Sequence, residues 1–335
     1  MKHNPAQIDG MDWPIFMAFP KLAKVMQPVH ICDLPSPVEP LKNLSKYAWI
    51  KRDDAIHPVY GGNKIRKFEF IASEIRDQQA SHVYTFGGTG TNHGVATAII
   101  CQQLGVKASV ITFDQPESNH VKQNQKAMKK FGSRVMNAGS IYWALAKFYL
   151  NPKRLNPRYY FLPAGGAAPI ATFAYINAAF ELKQQIARGD CPEPCEIYVA
   201  VGSSSTLAGL TLGCQLAGLK TKVIGIQVFN AHIGPIETCT ESVSQKMMSQ
   251  ALAVIRREYP NVPKELPPVY LDTRYFNPGY GVLTESTQRA IDKGETLGVK
   301  LEHTYSGKAF DAFLKACEQA HQPILFWQTY NSQTL

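Results

Sequence analysis

His82-Val83-Tyr84-Thr85-Phe86-Gly87-Gly88-Thr89-Gly90-Thr91-Asn92-His93-Gly94 passes from apolar and aromatic residues straight into small and polar ones. The first five residues read as a strand. The glycines that follow punctuate it. Ala96, Ile99, Ile100 and Leu104 then recur at helical spacing, and 108–113 reads as the next strand. Strand, glycine turn, helix and strand form one unit of a parallel sheet, because parallel neighbours must be joined by a crossover.

The same alternation extends outward from this unit. Upstream, Ile65, Phe68, Ile71, Ala72 and Ile75 predict a helix. Downstream, helical patterns at 118–131 and 141–150 alternate with strand patterns at 134–137 and 159–162. A long helix from about Pro169 through Phe173, Ile176, Phe180 and Ile186 opens a second series. It continues with strands at 196–201 and 223–229 around a helix at 207–216, then a helical stretch over 236–257. A connection rich in proline (Pro260, Pro263, Pro267, Pro268) leads to helices at 284–297 and 308–320 and a last strand at 324–327. Prolines break up the first 59 residues, where Tyr47-Ala48-Trp49-Ile50 is the clearest strand. The fold class is therefore α/β with parallel sheets. The chain of 335 residues is long enough for two domains. The expected division is 1–65 with 172–335 as the larger and 66–171 as the smaller.

Composition narrows the function. A hydrophobic fraction of 45% is ordinary for a folded protein. No apolar run approaches the ~20 residues that span a bilayer. Met1-Lys2-His3-Asn4-Pro5 lacks the apolar segment of a secretion signal, so the expected location is the cytoplasm, with no membrane partner. Seven cysteines, an odd number, suit reduced thiols, and Cys191 with Cys195 has no second ligand pair at zinc-site spacing. The net charge of +9 is spread along the chain without an arginine-rich run, so a nucleic-acid partner is not expected.

Two stretches carry chemistry. In Tyr60-Gly61-Gly62-Asn63-Lys64, two glycines free the backbone ahead of a lysine that opens a helix. Such a lysine is either presented to a ligand or simply a surface residue after a turn. In Gly202-Ser203-Ser204-Ser205-Thr206, a small-residue turn lies between a buried strand and a helix start. The backbone amides and the helix dipole there suit a phosphate, although an ordinary helix cap has the same composition. The turn is neither a Walker loop nor a dinucleotide fingerprint. A reactive lysine together with a separate phosphate cradle is the minimal equipment for pyridoxal 5'-phosphate.

In these stretches the chain resembles the D-cysteine desulfhydrases and 1-aminocyclopropane-1-carboxylate deaminases, pyridoxal-phosphate enzymes of fold type II, tryptophan synthase beta-like. The resemblance runs from about residue 48 to residue 329. It includes Gly61 to Lys64, Gly87 to His93, Pro163-Ala164-Gly165-Gly166, the 202–206 turn, Asn277-Pro278-Gly279-Tyr280-Gly281 and Tyr305-Ser306-Gly307-Lys308. It implies that Lys64 is the Schiff-base lysine, and that Lys64, Thr91, Tyr280 and Tyr305 are catalytic. It assigns the cofactor's phosphate to Gly202, Ser203, Ser204, Ser205 and Thr206, its ring oxygen to Asn92 and its pyridine nitrogen to Thr329. The substrate carboxylate falls to Thr91, Asn92 and His93. Read without the resemblance, Asn92 is a helix cap, His93 a local hydrogen-bonding residue, and the tyrosines packing residues.

The departures also bear on function. Ser306 stands where the ring-opening deaminases carry glutamate, which favours the desulfhydrase side. Gly90 and Gly94 replace bulkier polar residues, from which a more open loop is expected, and Tyr330-Asn331 replaces two glycines. The expected function is a lyase or deaminase that removes the α-proton of a small amino acid and eliminates a β-substituent, with D-cysteine as the leading substrate and ammonia and a keto acid as products. 1-Aminocyclopropane-1-carboxylate deamination, or cofactor binding with little turnover, are the alternatives. The resemblance also implies a homodimer.

Overall fold

A computed structural model describes residues 13–333. The opening Met1 to Pro5 stretch and the extreme ends of the expected larger domain lie outside the described residues. The first half of the chain runs α1 (Pro14–Ala18), β1 (Val38–Pro40), β2 (Ala48–Arg52), α2 (Asn63–Asp77), β3 (His82–Gly88), α3 (Asn92–Gln103), β4 (Lys107–Phe113), α4 (Asn119–Lys130), β5 (Arg134–Asn137), α5 (Ile141–Tyr149) and β6 (Tyr159–Phe161). The second half runs α6 (Ala171–Arg188), β7 (Glu196–Val201), α7 (Ser205–Leu216), β8 (Lys222–Gln227), β9 (His232–Ile233), β10 (Ile236–Glu237), α8 (Glu241–Glu258), β11 (Tyr270–Asp272), α9 (Glu285–Thr296), α10 (Ser306–Gln319) and β12 (Ile324–Gln328).

Two larger sheets result. A six-stranded sheet has the order β1-β2-β12-β7-β8-β11, antiparallel only at β1-β2. A four-stranded sheet, β5-β4-β3-β6, is parallel throughout. The α/β reading of the alternating pattern holds. Both faces of each sheet are covered, which explains why β4, β7 and β12 are apolar almost without alternation. One face of the six-stranded sheet packs on α6, α7 and α8 through Tyr175, Leu210 and Met248, and the other on α10 through Phe310 and Phe313. Ile65, Phe68, Ile71 and Ile75 of α2 join Val83, Val110 and Ile99 under the smaller sheet.

The helix expected over 236–257 begins only at Glu241. Thr240 caps it by accepting a hydrogen bond from Val243 N, and Ile236 and Glu237 pair with Ile233 and His232 in a two-stranded ribbon instead. The proline-rich connection holds β11, an edge strand where the prolines just before it disturb no ladder.

One buried polar node ties the elements beneath the site. Glu181 of α6 accepts from Lys51 Nζ at 2.5 Å and Arg66 Nη1 at 2.9 Å. Arg66 also reaches Asp53 at 2.6 Å, and Tyr175 and Trp327 each donate to Asp53 at 2.8 Å. Burial alone would raise the Glu181 carboxyl, but Arg66 and Lys51 more than offset it and hold it down at about 2.

Candidate active site

Lys64 is the second residue of α2. Its presentation depends on two glycines that admit main chain. A Cβ on Gly61 would lie 1.9 Å from the Asp54 carbonyl oxygen, and one on Gly62, whose φ is +95°, would lie 2.5 Å from the Thr329 carbonyl oxygen. Asn63 N donates to that Thr329 oxygen at 3.1 Å, and Gly61 N to Asn331 Oδ1 at 2.9 Å. The glycines thus seat the chain that leaves β12 against the start of α2. Lys64 keeps part of its surface open, but burial draws its amine from 10.5 down to about 8. Among the described residues no carboxylate lies within ion-pair distance of it.

The 202–206 turn joins β7 to α7. Ser204 takes a left-handed conformation, φ +60°, and no side chain caps the helix. Ser203 Oγ donates to Gly165 O at 3.4 Å and Ser204 Oγ to Thr238 O at 3.3 Å. Thr206 Oγ1 accepts from Asn63 Nδ2 at 3.2 Å, whereas the buried Ser205 Oγ has no partner. This departs from an ordinary cap: a run of hydroxyls at a helix start leaves the first amides uncapped, as an anion site does. A Cβ on Gly202 would stand 3.0 Å from Tyr305 Cε1, so the turn and that ring are closely packed.

Thr91 is the cap of α3, accepting from Gly94 N at 3.2 Å, so the capping role considered for Asn92 falls to its neighbour. That leaves the Asn92 amide free for other partners. Asn92 Oδ1 accepts from Tyr60 OH at 3.2 Å and from Asn124 Nδ2 at 2.8 Å. Buried His93 pairs through Nε2 with Thr85 Oγ1 at 2.9 Å, and its Nδ1 has no partner. Burial, then Lys64 and Lys67, drive the imidazole well below its ordinary range, so it is neutral at pH 7. The loop is not opened by its glycines. A Cβ on Gly90 would lie 2.7 Å from Val121 Cγ2, and one on Gly94 2.5 Å from Thr91 Cγ2 and 2.7 Å from Met128 Sδ. Both glycines exist for close packing, which corrects the expectation of extra room.

Tyr280 and Tyr305 meet hydroxyl to hydroxyl at 2.7 Å. Burial raises Tyr280 to about 12 and holds Tyr305 well above the ordinary tyrosine value, so both phenols hold their protons at neutral pH. Lys308, fully buried, fixes the loop before Tyr280 by donating to Phe276 O at 3.1 Å and Gly279 O at 3.0 Å. Glu302 was not singled out from sequence. Its carboxylate accepts from the backbone amides of Thr304, Tyr305 and Ser306 at 2.7 to 2.8 Å, anchoring the start of α10. An acid just ahead of a helix start was the available signal. Asn63, Tyr60 and Tyr330, which also line the cavity, were missed as site residues because their partners lie on other elements.

One cavity of about 320 Å³ is lined by Lys64, Thr91, Asn92, His93, Gly202, Ser203, Ser204, Thr206, Tyr280, Tyr305 and Thr329. Glu302 and Tyr330 line it too. Of the residues expected at the site, Ser205 stands back from the wall. Residues 32–327 match the family described as pyridoxal-phosphate dependent enzyme.

This chain belongs to that family.

It is 29% identical over 316 residues to a D-cysteine desulfhydrase of Serratia proteamaculans (strain 568), covering 90% of this chain and 92% of the relative. It is 28% identical over 311 residues to the nocardicin C-9' epimerase of Nocardia uniformis subsp. tsuyamanensis, covering 90% and 91%. A solved structure of an ACC deaminase homologue superposes with a TM-score of 0.79 at 28% identity, covering 95% of this chain and 94% of that one. The fold is that of type II pyridoxal-phosphate enzymes, and the cofactor is pyridoxal phosphate. The residues present fit it: an amine lowered by burial, and an uncapped helix start whose Ser203, Ser204 and Thr206 line the same cavity. Among the described residues no helix is long and apolar enough to cross a membrane.

Proposed function

We propose that this pyridoxal-phosphate enzyme is a lyase or deaminase that abstracts the α-proton of a small amino acid and eliminates its β-substituent, with D-cysteine as the reference substrate. The observation that carries the reading is that Lys64 and the 202–206 turn, far apart in sequence, line one cavity and are joined through the Asn63–Thr206 hydrogen bond. Lys64 would bond the cofactor, the amides of 203–206 with the hydroxyls of Ser203, Ser204 and Thr206 would hold its phosphate, Asn92 its ring oxygen and Thr329 its pyridine nitrogen. When bound, the cofactor supplies an electron sink for the pair left on Cα.

The rest is done by side chains. The Thr91 hydroxyl and the α3 start orient the substrate carboxylate beside neutral His93. Lys64 Nζ takes the Cα proton, a role its lowered basicity suits at neutral pH. The Tyr280–Tyr305 pair, holding its protons, delivers one to the departing sulfur. Thiol, ammonia and a keto acid result. Glu302 supports a second reading, 1-aminocyclopropane-1-carboxylate deamination, because it brings a carboxylate to the cavity although Ser306 carries none. We also propose that the two sheets mark domains 1–65 with 172–335 and 66–171, and that the enzyme is a cytoplasmic homodimer.

The absorbance spectrum of the purified protein, before and after D-cysteine, tests the assignment, with pyruvate release scored beside 2-oxobutyrate from the cyclopropane substrate. Lys64→Ala should abolish the visible band and turnover together; a variant that keeps both eliminates the role given to Lys64.

A further inference from the structure

The cavity has an apolar section apart from the residues assigned above to the cofactor and to the substrate carboxylate. Besides Lys64 and Tyr305 it is lined by Phe113 at the end of β4, by Ile141 and Leu145 of α5, by Ile233 of β9, and by Val243 and Met247 of α8. The two groups of residues converge: a Cβ on Gly234, in the turn between β9 and β10, would lie 3.7 Å from Tyr142 Cε1 of α5. Phe113 and Ile233 are buried, and the other four are half-buried.

Charge is sparse in the lining, and Glu237 of the β9–β10 ribbon borders the apolar section. The lining's lysine and carboxylates are Lys64, Glu302 and Glu237. Glu302 is held at the start of α10, and Glu237 is exposed in β10, within 3.8 Å of His232. The six apolar side chains themselves offer no partner to an ionised or strongly polar substituent. They offer a place to bury hydrocarbon, which is where apolar surface gains most on binding. The departing group of cysteine is a bare thiol and makes no use of it.

We infer that the substrate is a cysteine conjugate whose sulfur carries a bulky apolar group, aryl or alkyl, seated against Phe113, Leu145, Ile233 and Met247. This rests on the elimination proposed above and specifies its leaving group. The proton on Cα passes to Lys64, the Cβ–S bond breaks with its electron pair going to sulfur, and the thiolate takes a proton from the tyrosine pair. With one water, the remaining carbon skeleton becomes pyruvate and ammonium. No oxidant or reductant is needed.

The holoenzyme is tested with both enantiomers of S-benzylcysteine against those of cysteine. The conjugate should show kcat/KM at least about tenfold higher, mainly through KM, as expected for several methylene equivalents placed in an apolar pocket. A second measurement needs no turnover. The visible band is titrated with 2-amino-4-phenylbutanoate and with 2-aminobutanoate, which lack a leaving group, and the phenyl compound should bind at least about tenfold more tightly. Leu145→Lys on α5 and Val243→Asp on α8 should each cut the conjugate-to-cysteine ratio about tenfold. Equal binding of the two aminobutanoates, or a ratio unchanged in both variants, overturns the inference. Turnover of cysteine without turnover of the conjugate defeats the inference alone. Absence of pyruvate from every substrate, with no spectral response, defeats the elimination reading beneath it.

Discussion

Replacing Lys64 by methionine should make the cofactor-free protein more stable at neutral pH. The Lys64 amine lies at about 8, against 10.5 for an ordinary lysine, because burial disfavours its charged form. That displacement corresponds to about 3 to 4 kcal/mol, at ~1.4 kcal/mol for each factor of ten. The amine opens onto a cavity where water screens it, which reduces the figure to roughly 2 kcal/mol. The folded chain binds this proton less tightly than the unfolded chain. Below about pH 8 the penalty is present in full, and between about 8 and 10.5 the unfolded state holds more protons, so stability rises with pH until the penalty vanishes. Lys64→Met removes the titrating group. Urea midpoints of the two cofactor-free proteins should differ at pH 7 in favour of the variant, by roughly 2 kcal/mol more than at pH 10.5. A gap that does not change with pH refutes the argument, whatever its size, because methionine packing alone contributes a constant. The same lowering makes roughly a quarter of the amines neutral at pH 7.5, against about one in a thousand for an unperturbed lysine, which ties the stability penalty to the proposed role as nucleophile and base.

Glu181→Ala should cost about 3 to 5 kcal/mol, since it leaves Lys51 and Arg66 buried with Asp53 as their remaining carboxylate. Because the Glu181 carboxyl is held at about 2, its stabilisation is complete above 4.5 and is lost as pH falls toward 2. The difference in thermal midpoint should narrow over that window, and a constant difference disproves the pairing argument. Lys308→Met removes both bonds that hold the loop ahead of Tyr280, so kcat should fall by about tenfold with KM little changed; an unaltered kcat shows that the loop holds Tyr280 without it.

Much of this protein is legible along the chain because its determinants are local. The 82–113 unit announces a parallel sheet through side-chain period and glycine punctuation, and 61–64 and 202–206 carry their glycines and hydroxyls in short runs. What those glycines do is another matter. Gly61 and Gly62 read as freeing the backbone ahead of Lys64, and what they admit is the backbone of Asp54 and Thr329. Gly90 and Gly94 suggested openness, but they are packed against Val121 and Met128. Ile236 and Glu237 fit a helical pattern, yet they are claimed by a ribbon whose partner strand, His232–Ile233, is set by the turn before them.

Sequence by itself determined most of the element types, the fold class and the two short stretches to which the chemistry is here ascribed, since strand period, glycine freedom and a helix start are properties of a few adjacent residues. Tertiary structure alone decided that β12 inserts between β2 and β7, which carries Thr329 to the mouth of α2 and sets Asn63 against Thr206. It alone buried the Lys64 amine, gathered Glu302 into the site and walled the cavity with apolar residues of α5 and α8. Burial and proximity between segments hundreds of residues apart arise from how whole faces pack, and no local pattern encodes them.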